Sequence, residues 1–177
     1  MNLLKFHNKI KGYTQNRQPG IEADMEPKPI AELEEYKAAG KLENKVALIT
    51  GGDSGIGRAI AILYAKEGAN VAIGYYDEHQ DAEDTVNRLQ EMGVKAKAYA
   101  HDLKDEKQSQ KLIKDVINDF GSLNILVNNG GVQFPRDHFE DITPQQVKET
   151  FMTNIFGMMF LSQSAVPYLS EGDTIIN

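Results

Sequence analysis

The stretch Lys45-Val46-Ala47-Leu48-Ile49-Thr50-Gly51-Gly52-Asp53-Ser54-Gly55-Ile56-Gly57 decides the fold. Val46 to Thr50 is a short apolar run of strand formers, bounded by polar residues before and glycines after, which suits a buried strand of a parallel sheet. Beyond Gly57, apolar residues recur at helical spacing from Arg58 to Lys66, and Gly68 marks the stop. The reading is therefore strand, glycine turn, helix. Gly51 would let the strand turn sharply, Gly55 would let backbone approach a diphosphate, and Gly57 would let the helix pack closely on the strand. Backbone N–H groups and the helix dipole at such a start favour phosphate. An ordinary βα loop would use glycine too, and the spacing Gly-x-x-x-Gly-x-Gly differs from Gly-x-Gly-x-x-Gly. The turn lacks Gly-Lys-Ser/Thr, so it is no P-loop. Ile56 also breaks the Gly-x-Ser-x-Gly pattern of a nucleophile elbow.

At 177 residues, with 41% hydrophobic and 25% charged content, the chain can form one globular domain with a sizeable core. A net charge of −7 excludes a broad nucleic-acid surface. The absence of cysteine excludes disulfides and thiolate zinc sites and permits a reducing, cytoplasmic setting. His7, His79, His101 and His138 show no metal-ligand spacing, so no metal site is expected; surface or capping roles are expected instead. The apolar stretch from Phe151 to Leu169 contains Asn154, Ser162, Gln163, Ser164 and Pro167, which suits a buried or interfacial helix rather than a membrane span.

Residues 1–40 form a separate segment, with prolines at 19, 27 and 29 among polar and acidic neighbours. That composition predicts an extended arm, either loose or laid on a neighbouring subunit, with one short helix over Ile30 to Ala39. Residues 41–177 alternate strand and helix patterns. Strands are expected at Val46–Thr50, Asn70–Tyr75, Lys95–Ala100, Leu123–Asn128 and Thr174–Asn177, with helices at Ile56–Lys66, His79–Met92, Glu106–Asp119 and Thr143–Leu169. Gly68, Gly93 and Gly121 stand at helix ends. Such alternation predicts an α/β, Rossmann-like, doubly wound parallel sheet of about five strands. Ligands of these sheets sit beyond the carboxyl ends of the strands, where the strand order reverses.

Further motifs occur in order: Asp102-Leu103 after the third strand, Asn128-Asn129-Gly130-Gly131 after the fourth, and Asn154-Ile155-Phe156-Gly157 within the long helix. Together with Thr50–Gly57, the series resembles the short-chain dehydrogenase/reductase superfamily, in the branch whose first turn reads Thr-Gly-x-x-x-Gly-x-Gly. The arm, with its Tyr13–Gly20 and Met25–Pro29 segments, is similar to that of a bacterial general-stress subgroup. The resemblance implies oxidoreduction of a CH–OH/carbonyl small molecule with NAD or NADP, and a homo-oligomer, dimer or tetramer, when complete. It implies cofactor contacts at Gly51, Asp53, Ser54, Gly55, Ile56, Gly57, Tyr75, Asp102, Leu103, Asn129, Gly130 and Gly131. Asp102 would accept from the adenine amino group, although an aspartate there could equally cap a helix. Asn128 would tie neighbouring strands together. Asn154 would be the catalytic-site asparagine that holds a proton-relay water, or else a purely structural mid-helix amide. Gly130 departs from the family's alanine.

NAD enzymes place a carboxylate at the end of the second strand, where Tyr75 stands here, and NADP enzymes place a cation there or at the position of Ser54. Asp77 and Glu78 follow without Lys or Arg, so the balance favours NAD unless Arg58 or another cation reaches the site. The family's catalysis uses a serine and a Tyr-x-x-x-Lys just beyond the fifth strand. None of the seven tyrosines here has a lysine four residues on. The chain therefore reads as the cofactor-binding portion of an oxidoreductase, truncated before its catalytic groups and inactive alone. A non-catalytic dinucleotide-binding module and an inactive fragment are the other readings.

Overall fold

The computed structural model describes residues 15, 17, 20–25, 27–33 and 35–177. His7, Tyr13 and Pro19 of the arm lie outside the described residues. Five parallel strands, β1 (Val46–Thr50), β2 (Asn70–Tyr75), β3 (Ala96–Ala100), β4 (Ile125–Val127) and β5 (Thr174–Ile176), lie in the order β3-β2-β1-β4-β5. The helices are α1 (Gly55–Lys66), α2 (His79–Glu91), α3 (Glu106–Phe120), α4 (Pro144–Phe151) and α5 (Met158–Ala165). The α/β expectation holds. After β3 the chain crosses to the far side of β1, so the strand order reverses between β1 and β4.

Side-chain alternation divides the core into two layers, as the two-residue period of a strand requires. Ile49, Val71 and Ile73 pack with Ala61, Ile62 and Leu89 on one face; Val46, Leu48 and Leu126 pack with Ile113, Val116 and Leu161 on the other. Central β1 is buried along its whole length. Asp105 starts α3 by accepting from the N–H groups of Lys107 (2.8 Å) and Gln108 (3.3 Å). Thr143 and Gln146 start α4 with a reciprocal capping box, and Pro144 needs no donor there.

Three elements differ from the sequence expectation. β4 (Ile125–Val127) is shorter than Leu123–Asn128, although the backbone N–H groups of Asn124 and Asn128 still donate to Val46 and Ile176 of the flanking strands. The long helix is continuous but contains a π-helical segment, Met152–Gly157, with Asn154 inside it. No helix forms among the described residues of 30–39. There the arm's polar groups find a carboxylate rather than helical carbonyls: buried Glu67 accepts from the N–H groups of Ala39 (3.1 Å) and Lys41 (2.8 Å) and from the Tyr36 hydroxyl.

The described arm lies against α1 and α2 of its own chain. Glu32 bridges Lys66 (2.9 Å) and Arg88 (3.0 Å). Glu22, also buried, sends its carboxylate to the Gly55 N–H (2.6 Å) and to Arg58 (3.0 Å), while its own N–H donates to Asp81 (3.0 Å). No helix among the described residues is long and apolar enough to cross a membrane.

The crossing between β1 and β4 is locked by a few polar atoms. The Thr50 hydroxyl oxygen accepts from the N–H groups of Asn129 (3.0 Å) and Gly130 (2.9 Å). The Asn129 amide donates to the carbonyls of Thr50 (2.9 Å) and Gly51 (3.2 Å). Gly57 presses on this junction: a Cβ there would lie 1.9 Å from the Gly51 carbonyl oxygen. Gly51 itself has φ +60°.

Thr50→Val keeps the volume of this buried side chain but strips two N–H groups of their acceptor. Each unsatisfied group costs about 1–3 kcal/mol, so denaturant melts should show a loss in that range or above. The Tyr36 hydroxyl, then the Lys41 N–H, hold the Glu67 carboxyl down to about 2, against its ordinary 4.5. Its contribution is present above pH 4.5 and lost as pH falls toward 2. In Glu67→Gln, urea midpoints should therefore depend less steeply on pH between 4.5 and 2 than in the parent protein; equal slopes would contradict the pairing.

Candidate functional site

A cleft of about 390 Å³ opens beyond the carboxyl ends of the strands. Gly51, Asp53, Ser54, Tyr75, Asp102, Leu103, Asn129, Gly130 and Gly131 all line it, so four separate loops converge. Their position follows from topology: the β1 turn and the β4 turn flank the point where strand order reverses, and the ends of β2 and β3 extend the cleft to one side.

The remaining expected residues are placed differently. Gly57 sits under the cleft, in the helix–strand contact, and does not line it. Ile56 is 74% exposed beside it. A Cβ on Gly55 would meet nothing within 4 Å, so this side of the turn is open, and its φ of +52° is one that favours glycine. Its N–H was expected to face a phosphate, and here it donates to Glu22 of the arm instead.

Asp102 does not cap α3, because Asp105 does. Its carboxylate accepts from the Lys104 N–H (2.9 Å) and lies 3.8 Å from the Lys104 ammonium, which also reaches Glu149 (3.3 Å). Asp102 thus stands at the cleft wall with acceptor capacity to spare. Asn128 donates to Ser162 (3.0 Å) and to Asn177 (2.7 Å), tying β4 to α5 and to the β5 side of the sheet. Asn154 lies outside the cleft and lines an adjoining groove with Gly131 and Val132. Its amide donates to the Val132 carbonyl (2.9 Å) and accepts from the Val132 N–H (2.8 Å), so it fixes the loop after Gly131. A π-helical turn often accompanies a functional site, and this one aims Asn154 at that loop. Where the family has alanine, a Cβ on Gly130 would meet the end of the Leu103 side chain at 2.9 Å.

Three carboxyl and imidazole groups at the β2 and β3 end of the cleft carry shifted titrations. Burial lifts the Asp53 carboxyl above its ordinary range. Burial, then the neighbouring Asp77 carboxyl, push Glu78 up to about 7. Burial pushes His101 down to about 4, so its ring is neutral at pH 7. His101 is buried, 7% exposed, with neither ring nitrogen hydrogen-bonded; the surface or capping role expected of it is not found. His79 shares a hydrogen bond with the Tyr75 hydroxyl (2.9 Å). Among the described residues no group of three or more His, Cys, Asp or Glu could hold a metal ion.

Sequence reading did not name Glu78, His101 and Lys104 among the lining residues, nor Arg17 as the partner of Glu78 or Glu22 as the partner of the Gly55 N–H. Glu78 was legible in principle, being a carboxylate just past the end of β2. The arm contacts were not, because their partners lie 33 to 61 residues away with no periodic signal.

Residues 45–177 match the family model for short chain dehydrogenases. General stress protein 39 of Bacillus subtilis is 47% identical over 175 residues, covering 99% of this chain and 61% of that protein. A short chain dehydrogenase from Burkholderia cenocepacia, solved in complex with NADP, is 36% identical with a TM-score of 0.73, covering 76% of this chain and 55% of that one. An NAD⁺-bound xylitol dehydrogenase is 26% identical with a TM-score of 0.69, over 72% of this chain and 49% of its own. The chain thus spans about three-fifths of the length of the curated relative it matches. With the glycine turn, the reversal of strand order and the Asn-Asn-Gly-Gly turn in register, the chain belongs to the short-chain dehydrogenase family.

Proposed function

We propose that these residues bind the dinucleotide of an NAD(P)-dependent oxidoreductase acting on a CH–OH/carbonyl small molecule. The observation that carries the reading is the cleft at the β1/β4 reversal, lined by the glycine turn, Asp102 and Asn129–Gly131. Residues 41–177 are the dinucleotide-binding portion, and residues 1–40 are an arm whose described residues pack on it. Structural relatives solved with NADP and with NAD⁺ both support a nicotinamide dinucleotide.

The group bound here would supply hydride transfer; the protein supplies position and electrostatics. The α1 start and the left-handed Gly55 shape a seat for the diphosphate. Asp102 accepts from the adenine amino group, and Asn129 with Gly130 walls the nicotinamide-ribose side. Asn154 holds the loop at Val132, which sets the far edge of that wall. Proton transfer to or from substrate needs a general acid/base. None of the 177 residues supplies the family's Tyr-x-x-x-Lys. The turnover belongs to a protein that carries those groups together with this portion. That same observation favours a second reading, a dinucleotide-binding module without catalysis.

The 177-residue chain should bind dinucleotide and show no carbonyl- or alcohol-dependent turnover, since acid/base groups contribute about 10²–10⁴-fold. Robust turnover by the pure chain would require another catalytic group. Gly55→Val forces a branched residue to positive φ and fills the open side of the turn, and should abolish binding in calorimetry. Asp102→Ala should weaken it by about 1.5–3 kcal/mol, one charge-assisted hydrogen bond. Unchanged affinity in Gly55→Val would make the turn merely structural.

Self-association is the other half of the proposal. Phe151, Ile155 and Met159 recur every four residues and are 54%, 43% and 56% exposed, beside Phe156 stacked on Phe160. A continuous apolar stripe of this kind marks an interface. Light scattering over a dilution series should show dimers or larger species, and a monodisperse monomer at high concentration would contradict this.

A further inference from the structure

The first N–H groups of a helix have no acceptor within it, and a serine just before the helix is among the best local caps. Ser54 stands at that place before α1, yet its side chain makes no capping hydrogen bond. The acceptor comes from the arm instead. Glu22, in a 3₁₀ turn over Glu22–Asp24, lies 33 residues back along the chain and accepts from the Gly55 N–H at 2.6 Å. Other contacts fix where this buried carboxylate stands. The Arg58 guanidinium donates to its second oxygen (3.0 Å), and the Glu22 N–H donates to Asp81 on α2 (3.0 Å). Just before it, the Gln15 side chain clasps Ile21, donating to its carbonyl (2.7 Å) and accepting from its N–H (2.7 Å).

Gly55 is a place where the glycine turn needs holding. Its φ is +52°, and the space around its Cα is open. Earlier in the turn, Asn129 ties the Gly51 carbonyl (3.2 Å), and the Thr85 hydroxyl on α2 donates to the Asp53 carbonyl (2.9 Å). Glu22 adds the tie at Gly55. We propose that Glu22 is a positioning residue for the diphosphate-binding turn: it caps α1 from the arm, holds Gly55 in its left-handed conformation, and so makes the arm part of the dinucleotide seat. The inference rests on the dinucleotide reading above and concerns how that seat is built.

Two observations favour support of the seat over competition for it. Gly51, Asp53 and Ser54 line the cleft, whereas Glu22 lines a separate hollow with Arg58, Asp81 and Arg88, so the carboxylate meets the turn from its outer side. Its charge is also matched by Arg58 at 3.0 Å, and the pair adds little net repulsion to an incoming diphosphate. Arm docking and diphosphate binding are then linked, and the linkage is reciprocal: what the arm adds to dinucleotide affinity, the dinucleotide returns to arm docking.

Calorimetry of the 177-residue chain with NAD and ADP, together with an NMR titration with adenosine, tests the assignment. Glu22→Ala should weaken NAD and ADP by about five- to tenfold, the size of one lost helix cap, and leave adenosine unchanged, because adenosine has no diphosphate to seat. Glu32→Ala is the control: it frees the arm from Lys66 and Arg88 without touching the turn, and should leave NAD affinity unaltered. A second measurement needs no variant. In the parent chain, saturating ADP should slow hydrogen exchange at the Glu22 and Gly55 amides. Unchanged NAD affinity in Glu22→Ala overturns the inference while leaving the cleft as a dinucleotide site; a gain in affinity overturns it and makes Glu22 a competitor of the diphosphate. Equal losses for NAD and adenosine, or an equal loss of NAD affinity in Glu32→Ala, overturn it too, since the effect then belongs to the whole domain or to the arm at large. Unchanged or faster exchange at the two amides contradicts the linkage and has the same force. If the parent chain binds neither NAD nor ADP, the reading of the cleft fails together with the inference.

Discussion

The staple between Thr50 and Asn129 is the contact on which the rest of the cleft depends. Thr50 ends β1 and Asn129 follows β4; two hydrogen bonds between them, with one from Asn129 to Gly51 and one from Gly130 to Thr50, hold the two turns that flank the reversal of strand order. Thr50 is buried, so stripping its hydroxyl would leave the N–H groups of Asn129 and Gly130 without their acceptor at a costly place. Gly57 shares the constraint from below. With a Cβ 1.9 Å from the Gly51 carbonyl, any side chain there would drive α1 off the turn. One short polar contact and one missing methyl group therefore fix where the α1 start points.

A second layer of organisation is electrostatic. Buried Glu22 and Glu67 and half-buried Glu32 tie the arm to the body of the domain, each satisfied by N–H groups, a hydroxyl or a cation. These are not surface pairs of small worth, because truncating one partner leaves a desolvated charge behind. Glu22 matters most for function. It occupies the Gly55 N–H at the rim of the glycine turn, so the geometry of that turn is shared between the strand and the arm. The arm's conformation and the shape of the cleft are thereby coupled through one carboxylate.

The sheet was legible because its signals are local. The β1 and β2 ranges agree with the apolar runs that announce them, and Gly68, Gly93 and Gly121 do mark helix ends with positive φ. Nine of the expected cofactor residues converge on one cleft, since each stands at the carboxyl end of a strand whose place the topology fixes. What escaped depends on distant partners. The helical composition of 30–39 was overridden by Glu67, a residue about thirty positions away. The π segment is invisible to periodicity, because the apolar pattern from Phe151 to Leu161 runs through it without a break. His101 reads as a polar residue after a strand, and only the fold shows that it is buried beneath Gly74.

The account's central claim is that the cleft at the β1/β4 reversal is a dinucleotide seat. An amide NMR titration of the isotopically labelled chain with NAD tests it most directly, because every wall of the cleft reports separately. The account predicts shift changes concentrated at Gly51–Gly57, Tyr75–Glu78, Asp102–Leu103 and Asn129–Val132, with the α3 and β5 amides little moved. Saturating NAD that leaves those amides unshifted, or that shifts a different surface, would contradict it.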